Sequence, residues 1–169
     1  MLKAAIRDVQ DFPKPDIVFK DITPILSDPK LLQYSIELLV QTAEGQKIDK
    51  VVGIDARGFI FGAPAAIELG AGFVPIRKQG KLPWKTHALS YTLEYGENTV
   101  EIHQDAIKPG EKVLLIDDLL ATGGTASAAV ELLNKLGADI VSASFLIELE
   151  ALNGRQNVET ENLTSIIKF

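Results

Sequence analysis

Val113-Leu-Leu-Ile-Asp-Asp-Leu-Leu-Ala-Thr-Gly-Gly-Thr125 decides the fold class of this chain. It opens on a short apolar run, passes two adjacent carboxylates and a loop of small residues, and enters an Ala/Leu-rich segment with helical character. Strand, loop, helix is the order it predicts. Val113 to Ile116 carry no polar side chain, which suits a parallel strand covered on both faces, so Asp117 and Asp118 are expected where that strand meets solvent. Ligands of open α/β sheets bind at this carboxyl end. Ala121, Thr122, Gly123, Gly124 and Thr125 let backbone N–H groups approach a ligand closely, and a helix starting there points its positive dipole end at the same spot. That is a seat for a phosphate monoester. Carboxylates accept hydrogen bonds, so the two acids fit hydroxyls of a sugar attached to that phosphate, or a magnesium ion near it.

Each half alone has an ordinary reading, a solvated strand end and a turn with a helix cap. Joined in one segment, they favour a sugar phosphate. The segment is not a Walker A loop, because no lysine precedes Thr125 and the glycine spacing differs. A dinucleotide fingerprint is absent too, since Gly70-Ala-Gly72 meets Pro75 where a third glycine belongs.

Outward from this stretch, the unit repeats. Residues 50–55 form a second buried-strand candidate ending in Asp55, followed by a small-residue turn, with Arg57 in it, and a helix to Gly70. Arg57 fits either a surface charge or a ligand contact. Residues 72–77 give the next strand, ending in Arg77, Lys78 and, after Gly80, Lys81. In a chain of net charge −6, three cations grouped at one strand end favour a polyanionic substrate over a solvated run. Residues 79–90 lack periodicity and are expected as a long mobile loop. Residues 89–96 and 99–103 alternate and predict a hairpin joined at Gly96-Glu-Asn98, suited to a lid over a reactive centre.

Before these units, residues 2–9 predict a short amphipathic helix broken by Phe12-Pro-Lys-Pro-Asp16. Residues 17–26 are apolar but interrupted by Pro24, which predicts an irregular, partly buried segment and, by default, a core Phe19. Asp28 and Pro29 start a helix that Gly45 ends. After the opening stretch, the helix from Thr125 stops at Gly137, residues 140–149 form an apolar strand, 151–155 a helical turn and 163–167 an edge strand. Alternating strands and helices predict an α/β, doubly wound, mostly parallel sheet.

A length of 169 residues suits one domain, 1–169, with a full core. The acidic balance speaks against a general nucleic-acid or anionic-membrane surface, though a local basic patch is compatible with it. There is no cysteine, hence no disulfide or thiolate metal site, in keeping with a reducing, cytoplasmic setting. Residues 1–8 mix charge with apolar positions and are not expected to be a signal peptide, and no stretch is long and apolar enough for a transmembrane helix.

Leu115 to Thr125 resembles the phosphoribosyl pyrophosphate (PRPP) motif of type I phosphoribosyltransferases, in the Asp-Asp-Leu-Leu-Ala-Thr-Gly-Gly-Thr wording of the adenine phosphoribosyltransferases. The likeness extends from about Phe12 to Arg155. It implies transfer of the 5-phosphoribosyl group from PRPP to adenine, giving AMP and pyrophosphate in purine salvage, with Mg2+ held mainly by PRPP and no metal ligands among the protein side chains. It also implies a homodimer.

By that resemblance, Asp117 and Asp118 take the ribose hydroxyls and Ala121, Thr122, Gly123, Gly124 and Thr125 the 5′-phosphate. Ala56, Arg57 and Gly58 resemble the pyrophosphate loop, which in such proteins often holds a non-proline cis peptide. Residues 1–26 resemble the N-terminal hood, where Phe19 stacks on adenine beside Val18 and Arg57. Residues 78–103 resemble the catalytic lid, with Arg77 and Lys81 on pyrophosphate and Glu94 facing the purine imidazole edge. Two departures stand out: Trp84-Lys85 replaces a small residue common after Leu-Pro, and Asp16 replaces a common glycine. Trp84 there is expected as a hinge anchor or a dimer contact. The nearest competing readings are a phosphoribosyltransferase for another purine, such as hypoxanthine or xanthine, and a PRPP-sensing regulator without catalysis. A 6-oxopurine enzyme usually has a lysine just after this motif, and a regulator usually has a DNA-binding domain; neither is evident here.

Overall fold

The computed structural model describes residues 1–169 except Glu94 and Tyr95, with Leu93 described through its backbone. Helix α1 (Leu2–Ala5) leads into β1 (Arg7–Gln10), which pairs antiparallel with β2 (Val18–Asp21). The helix expected over 2–9 therefore stops early. Backbone pairing between Arg7–Gln10 and β2 satisfies donors and acceptors that one further helical turn would leave open. Between the two strands the Phe12–Pro13 peptide is cis, and Asp11 and Asp16 have φ of 54° and 67°. Asp16 thus sits in the left-handed region that explains the glycine preference at this bend, and its N–H donates to the Asp11 carboxylate at 2.9 Å.

Residues 17–26 are more regular than expected, β2 passing into α2 (Thr23–Ser27), but they stay outside the main sheet. Helix α3 (Pro29–Gln41) begins where Asp28 accepts the N–H groups of Lys30 and Leu31, at 2.8 and 3.1 Å. Then come β3 (Lys50–Ile54), α4 (Gly58–Leu69), β4 (Gly72–Lys78), β5 (Thr86–Leu93), β6 (Gly96–His103), β7 (Lys112–Leu120), α5 (Gly124–Lys135), β8 (Asp139–Glu148), two 3-10 turns (Glu150–Leu152 and Gly154–Asn157) and β9 (Leu163–Lys168).

The main sheet has the order β5-β6-β4-β3-β7-β8-β9, parallel from β4 to β9, with the β5–β6 hairpin antiparallel at one edge. Successive side chains of one strand serve different cores. Val51, Leu114 and Ile116 pack with Phe61, Ala65 and Leu39 on the face of α3 and α4, whereas Val52, Val113 and Leu115 pack with Ala129, Val130 and Leu133 of α5. Both faces are covered, which makes the sheet doubly wound, as the apolar strand runs predict. Strands β3 and β7 are neighbours, yet the chain leaves β3 toward β4 and leaves β7 toward β8. The crevice between their carboxyl ends is a topological switch point.

Three boundaries differ from sequence expectation. The loop expected over 79–90 is shorter, because β5 starts at Thr86 and pairs with β6 through His103. Gly96-Glu-Asn98 is strand, not turn: Leu93 pairs with Gly96, Thr92 with Glu97 and Tyr91 with Asn98. Strand β7 continues through both acids to Leu120 because β8 stays paired with it, Asp117 opposite Phe145 and Leu120 opposite Glu148. Asp118 is consequently buried instead of standing at a solvated strand end. Exposed Trp84 packs edge-on against the His103 ring, with centroids 6.4 Å apart. No helix among the described residues is long and apolar enough to cross a membrane.

Candidate functional site

A cavity of about 350 Å³ lies at the switch point, lined on one side by Asp55, Ala56 and Arg57 after β3 and on the other by residues from Asp117 to Ala126. The two walls touch at Gly58. A Cβ there would stand 2.9 Å from the Ile116 carbonyl oxygen and 3.0 Å from Asp117 Oδ1, so only glycine lets the start of α4 press against β7. The Asp55–Ala56 peptide beside it is cis.

Asp117 and Asp118 differ in environment although they are adjacent. Asp117 is half-buried by exposed area, but its carboxyl is enclosed, and burial, reinforced by the neighbouring Asp118 charge, pushes it well above the usual carboxylate range. Its Oδ1 accepts the Asp118 N–H at 2.8 Å. Asp118 is paired: Arg57 Nε donates to its Oδ2 at 2.5 Å. The same guanidinium lies 5.9 Å from the centroid of the Phe19 ring, which carries Phe12 edge-on at 5.2 Å. Arg57 therefore links the N-terminal ribbon to the acids of β7.

Beyond β7 the chain turns through Ala121, Thr122 and Gly123 into the twelve residues of α5. Gly123 has φ of 86°, and no side chain caps the helix. The first N–H groups of α5 thus have no intrahelical or capping partner and border the cavity, as an anion seat requires.

The cavity brings together Ala56, Arg57, Asp117, Asp118 and Ala121 to Thr125, with Gly58 beneath. Phe19 reaches it through Arg57, while Val18 is exposed on the ribbon. Lys78 lines it directly, whereas Arg77 stands behind Asp55, donating to Oδ2 at 3.3 Å and to the Lys81 carbonyl at 3.5 Å. Lys81 itself is exposed and does not line the cavity. Glu94 lies outside the described residues. Sequence reasoning assigned no role to two further residues. Asp55 could have been found, since it repeats the acid-after-strand pattern of Asp117. Tyr91, whose hydroxyl meets Thr125 Oγ1 at 2.7 Å and whose ring a Cβ on Gly124 would strike at 2.9 Å, left no signal beyond its place in an alternating strand.

Comparison with known proteins agrees with this geometry. A family model described as the phosphoribosyl transferase domain matches residues 21–165. The adenine phosphoribosyltransferase of Synechocystis sp. is 52% identical over 170 residues, covering 99% of each chain, and that of Escherichia coli O157:H7 is 54% identical over 164 residues, covering 97% of this chain and 90% of the relative. Among solved structures, the adenine phosphoribosyltransferase of Thermoanaerobacter pseudethanolicus superposes with a TM-score of 0.95 at 50% identity, covering 99% of this chain and 98% of the other. The Saccharomyces cerevisiae enzyme, solved with an imino-altritol bisphosphate and adenine, gives 0.91 at 40% identity, covering 98% and 96%. With the motif, the switch-point cavity and the whole chain in agreement, this protein belongs to the phosphoribosyl transferase family.

Proposed function

We propose that the site transfers the 5-phosphoribosyl group of PRPP to adenine, releasing pyrophosphate and forming AMP. One observation carries the reading: a single cavity joins an uncapped helix start, two β7 carboxylates and, through Arg57, an aromatic platform. The near-full-length likeness to proteins named adenine phosphoribosyltransferase supports the choice of base.

Ala121 to Thr125 hold the 5′-phosphate with backbone N–H groups and hydroxyls. Asp117 and Asp118 accept the ribose hydroxyls; a carboxylate has room for both a hydroxyl and Arg57, so the ion pair need not break. Ala56, Arg57 and Gly58 hold the pyrophosphate together with Arg77 and Lys81, and Phe19 stacks on adenine beside Val18. The C1–O bond to pyrophosphate breaks, a C1–N9 bond to adenine forms, and the imidazole proton passes to the Glu94 carboxylate. Glu94 exchanges a proton with the imidazole edge, a role that rests on family resemblance. Positive charge develops on the ribose ring as the C–O bond lengthens, so orientation and stabilisation of the leaving group dominate the rate.

Magnesium fits this donor set. It would be held mainly by the oxygens of PRPP, leaving Asp117 and Asp118 to the ribose hydroxyls, and would supply positive charge to the leaving pyrophosphate. Residues 1–26 serve as hood and 78–103 as lid within one domain. A homodimer belongs to the same reading: Ile60 and Ile67, two turns apart on the apolar helix α4, are 38% and 84% exposed. So does a cytoplasmic setting, supported by the cysteine-free composition.

The test is pyrophosphate release from PRPP and magnesium, with adenine, hypoxanthine, guanine and xanthine in separate reactions. Release with adenine alone is expected. Release with a 6-oxopurine instead overturns the base assignment, and tight PRPP binding without release overturns catalysis.

A further inference from the structure

The turn Gly154–Asn157, which no step above uses, lies against the phosphate loop. Asn157 Nδ2 donates to the Thr122 carbonyl at 2.8 Å. A Cβ on Gly123 would fall 2.3 Å from the Gly154 carbonyl oxygen, and a Cβ on Gly154 would fall 2.1 Å from the Ala121 carbonyl oxygen. Two backbones therefore meet with no room for a side chain on either. Ordinary contact begins near 3.4 Å, so one methyl group on either glycine would part them by more than 1 Å.

The turn is itself held firmly. Arg155 Nε and Nη2 donate to the two carboxylate oxygens of Glu148 at 3.1 and 2.6 Å, and Nη1 donates to the Leu163 carbonyl at 2.8 Å. Glu148 is buried at the end of β8, and the Arg155 hydrogen bonds hold its carboxyl below the usual range. A rigid strand end thus fixes Arg155, and Arg155 fixes its neighbours Gly154 and Asn157.

We infer that Gly154 and Asn157 are positioning residues for the phosphate loop, setting the direction of its N–H groups before substrate arrives. A trans peptide points its N–H opposite its C=O, so tying the Thr122 carbonyl to Asn157 fixes where the Gly123 N–H points, away from Asn157. Donors already aimed need no reorganisation on binding. The inference rests on the assignment of Ala121 to Thr125 to the 5′-phosphate.

The experiment uses the full chain, with ribose 5-phosphate and pyrophosphate as separate probes in calorimetric titrations, and a thermal melt of each variant. Asn157→Ala is expected to weaken ribose 5-phosphate about three- to tenfold, the worth of one exposed hydrogen bond, while pyrophosphate affinity and melting temperature stay at wild-type values. KM for PRPP should rise more than kcat falls. Gly154→Ala, where the backbone must shift, is expected to lose about 10²-fold in ribose 5-phosphate affinity. Should Gly154→Ala not fold, Asn157→Ala decides alone. Asn157→Ala binding both probes like wild type, or losing both equally, overturns the positioning role. Wild-type protein that binds pyrophosphate but not ribose 5-phosphate overturns the loop assignment instead.

Discussion

Asp118→Asn separates the sugar from the base. Asp118 sits in the cavity wall with 8% of its side chain exposed, accepting Arg57 at 2.5 Å. Asparagine keeps the volume but offers one acceptor oxygen and turns an NH2 toward groups that are themselves donors. Two losses follow, and they differ in size. The Arg57 partner is 47% exposed, so water replaces much of that ion pair and its loss costs about 1 kcal/mol or less, mostly in stability. A ribose hydroxyl bonded to a carboxylate is worth about 1.5–3 kcal/mol, and a donor–donor clash in its place recovers none of it. PRPP affinity should therefore fall about 10- to 150-fold. In the proposed reading adenine stacks on Phe19, away from Asp118, and should lose at most about threefold through the loosened Arg57. Calorimetric titration of each ligand, PRPP with magnesium, checks the split. Equal losses for the two ligands, or a PRPP loss under threefold, would refute the placement of ribose on Asp118.

Three further outcomes are expected. Glu94→Gln should lower kcat about 10²-fold, the usual reach of a general acid–base group, and wild-type turnover in a steady-state assay would remove Glu94 from the mechanism. Burial raises the Asp117 carboxyl above its unfolded value, so the folded chain binds a proton that the unfolded chain has released, and stability is lost as pH rises from the unfolded value toward the raised one. Asp117→Asn should then be more stable than wild type at neutral pH and lose that advantage at acid pH; urea titrations showing the same difference at every pH would contradict the raised carboxyl. Tyr91→Phe removes a phenol that holds the Thr125 hydroxyl in place, either oxygen able to donate, so KM for PRPP should rise about two- to tenfold in initial-rate assays, whereas an unchanged KM would show that this contact orients nothing.

The sheet was legible in sequence because it is buried on both faces. Residues 51–54, 113–116 and 145–147 carry no polar side chain, a pattern few other structures need. Helix α3 announced itself by Asp28-Pro29, whose roles are local and set by the first turn alone. What escaped depends on partners distant in sequence. Arg7–Gln10 carries helical spacing and becomes strand only because β2 returns beside it. Thr86-His-Ala88 has no strand pattern of its own and is held by β6. The acids of β7 belong to the strand because β8 continues past them. The site divides the same way: the loop after β7 was readable as one contiguous segment, whereas the pairings Arg57–Asp118 and Arg77–Asp55 and the contact of Tyr91 with Thr125 join residues between which the sequence shows no tie.

Those pairings explain how a chain of net charge −6 can present a seat for a polyanion. Net charge acts over distance and is screened within about 8 Å at physiological salt, whereas a bound phosphate meets donors at hydrogen-bonding range. In the free protein two arginines are matched by aspartates, Arg57 in the cavity wall by Asp118 and Arg77 behind it by Asp55. Each aspartate fixes its arginine through Nε, which holds the guanidinium in place while the terminal N–H groups of Arg57 remain available to a ligand. Beside Lys78, which lines the cavity, stand backbone N–H groups at the start of α5, which cannot be neutralised by a neighbouring acid and cannot swing away. An unpaired cluster of flexible lysines would attract any anion. Fixed arginines and a fixed loop instead reward an anion that carries phosphates at two ends of one sugar, and the proposed placement of PRPP, with its ribose hydroxyls on Asp117 and Asp118, uses both walls of the cavity in that way.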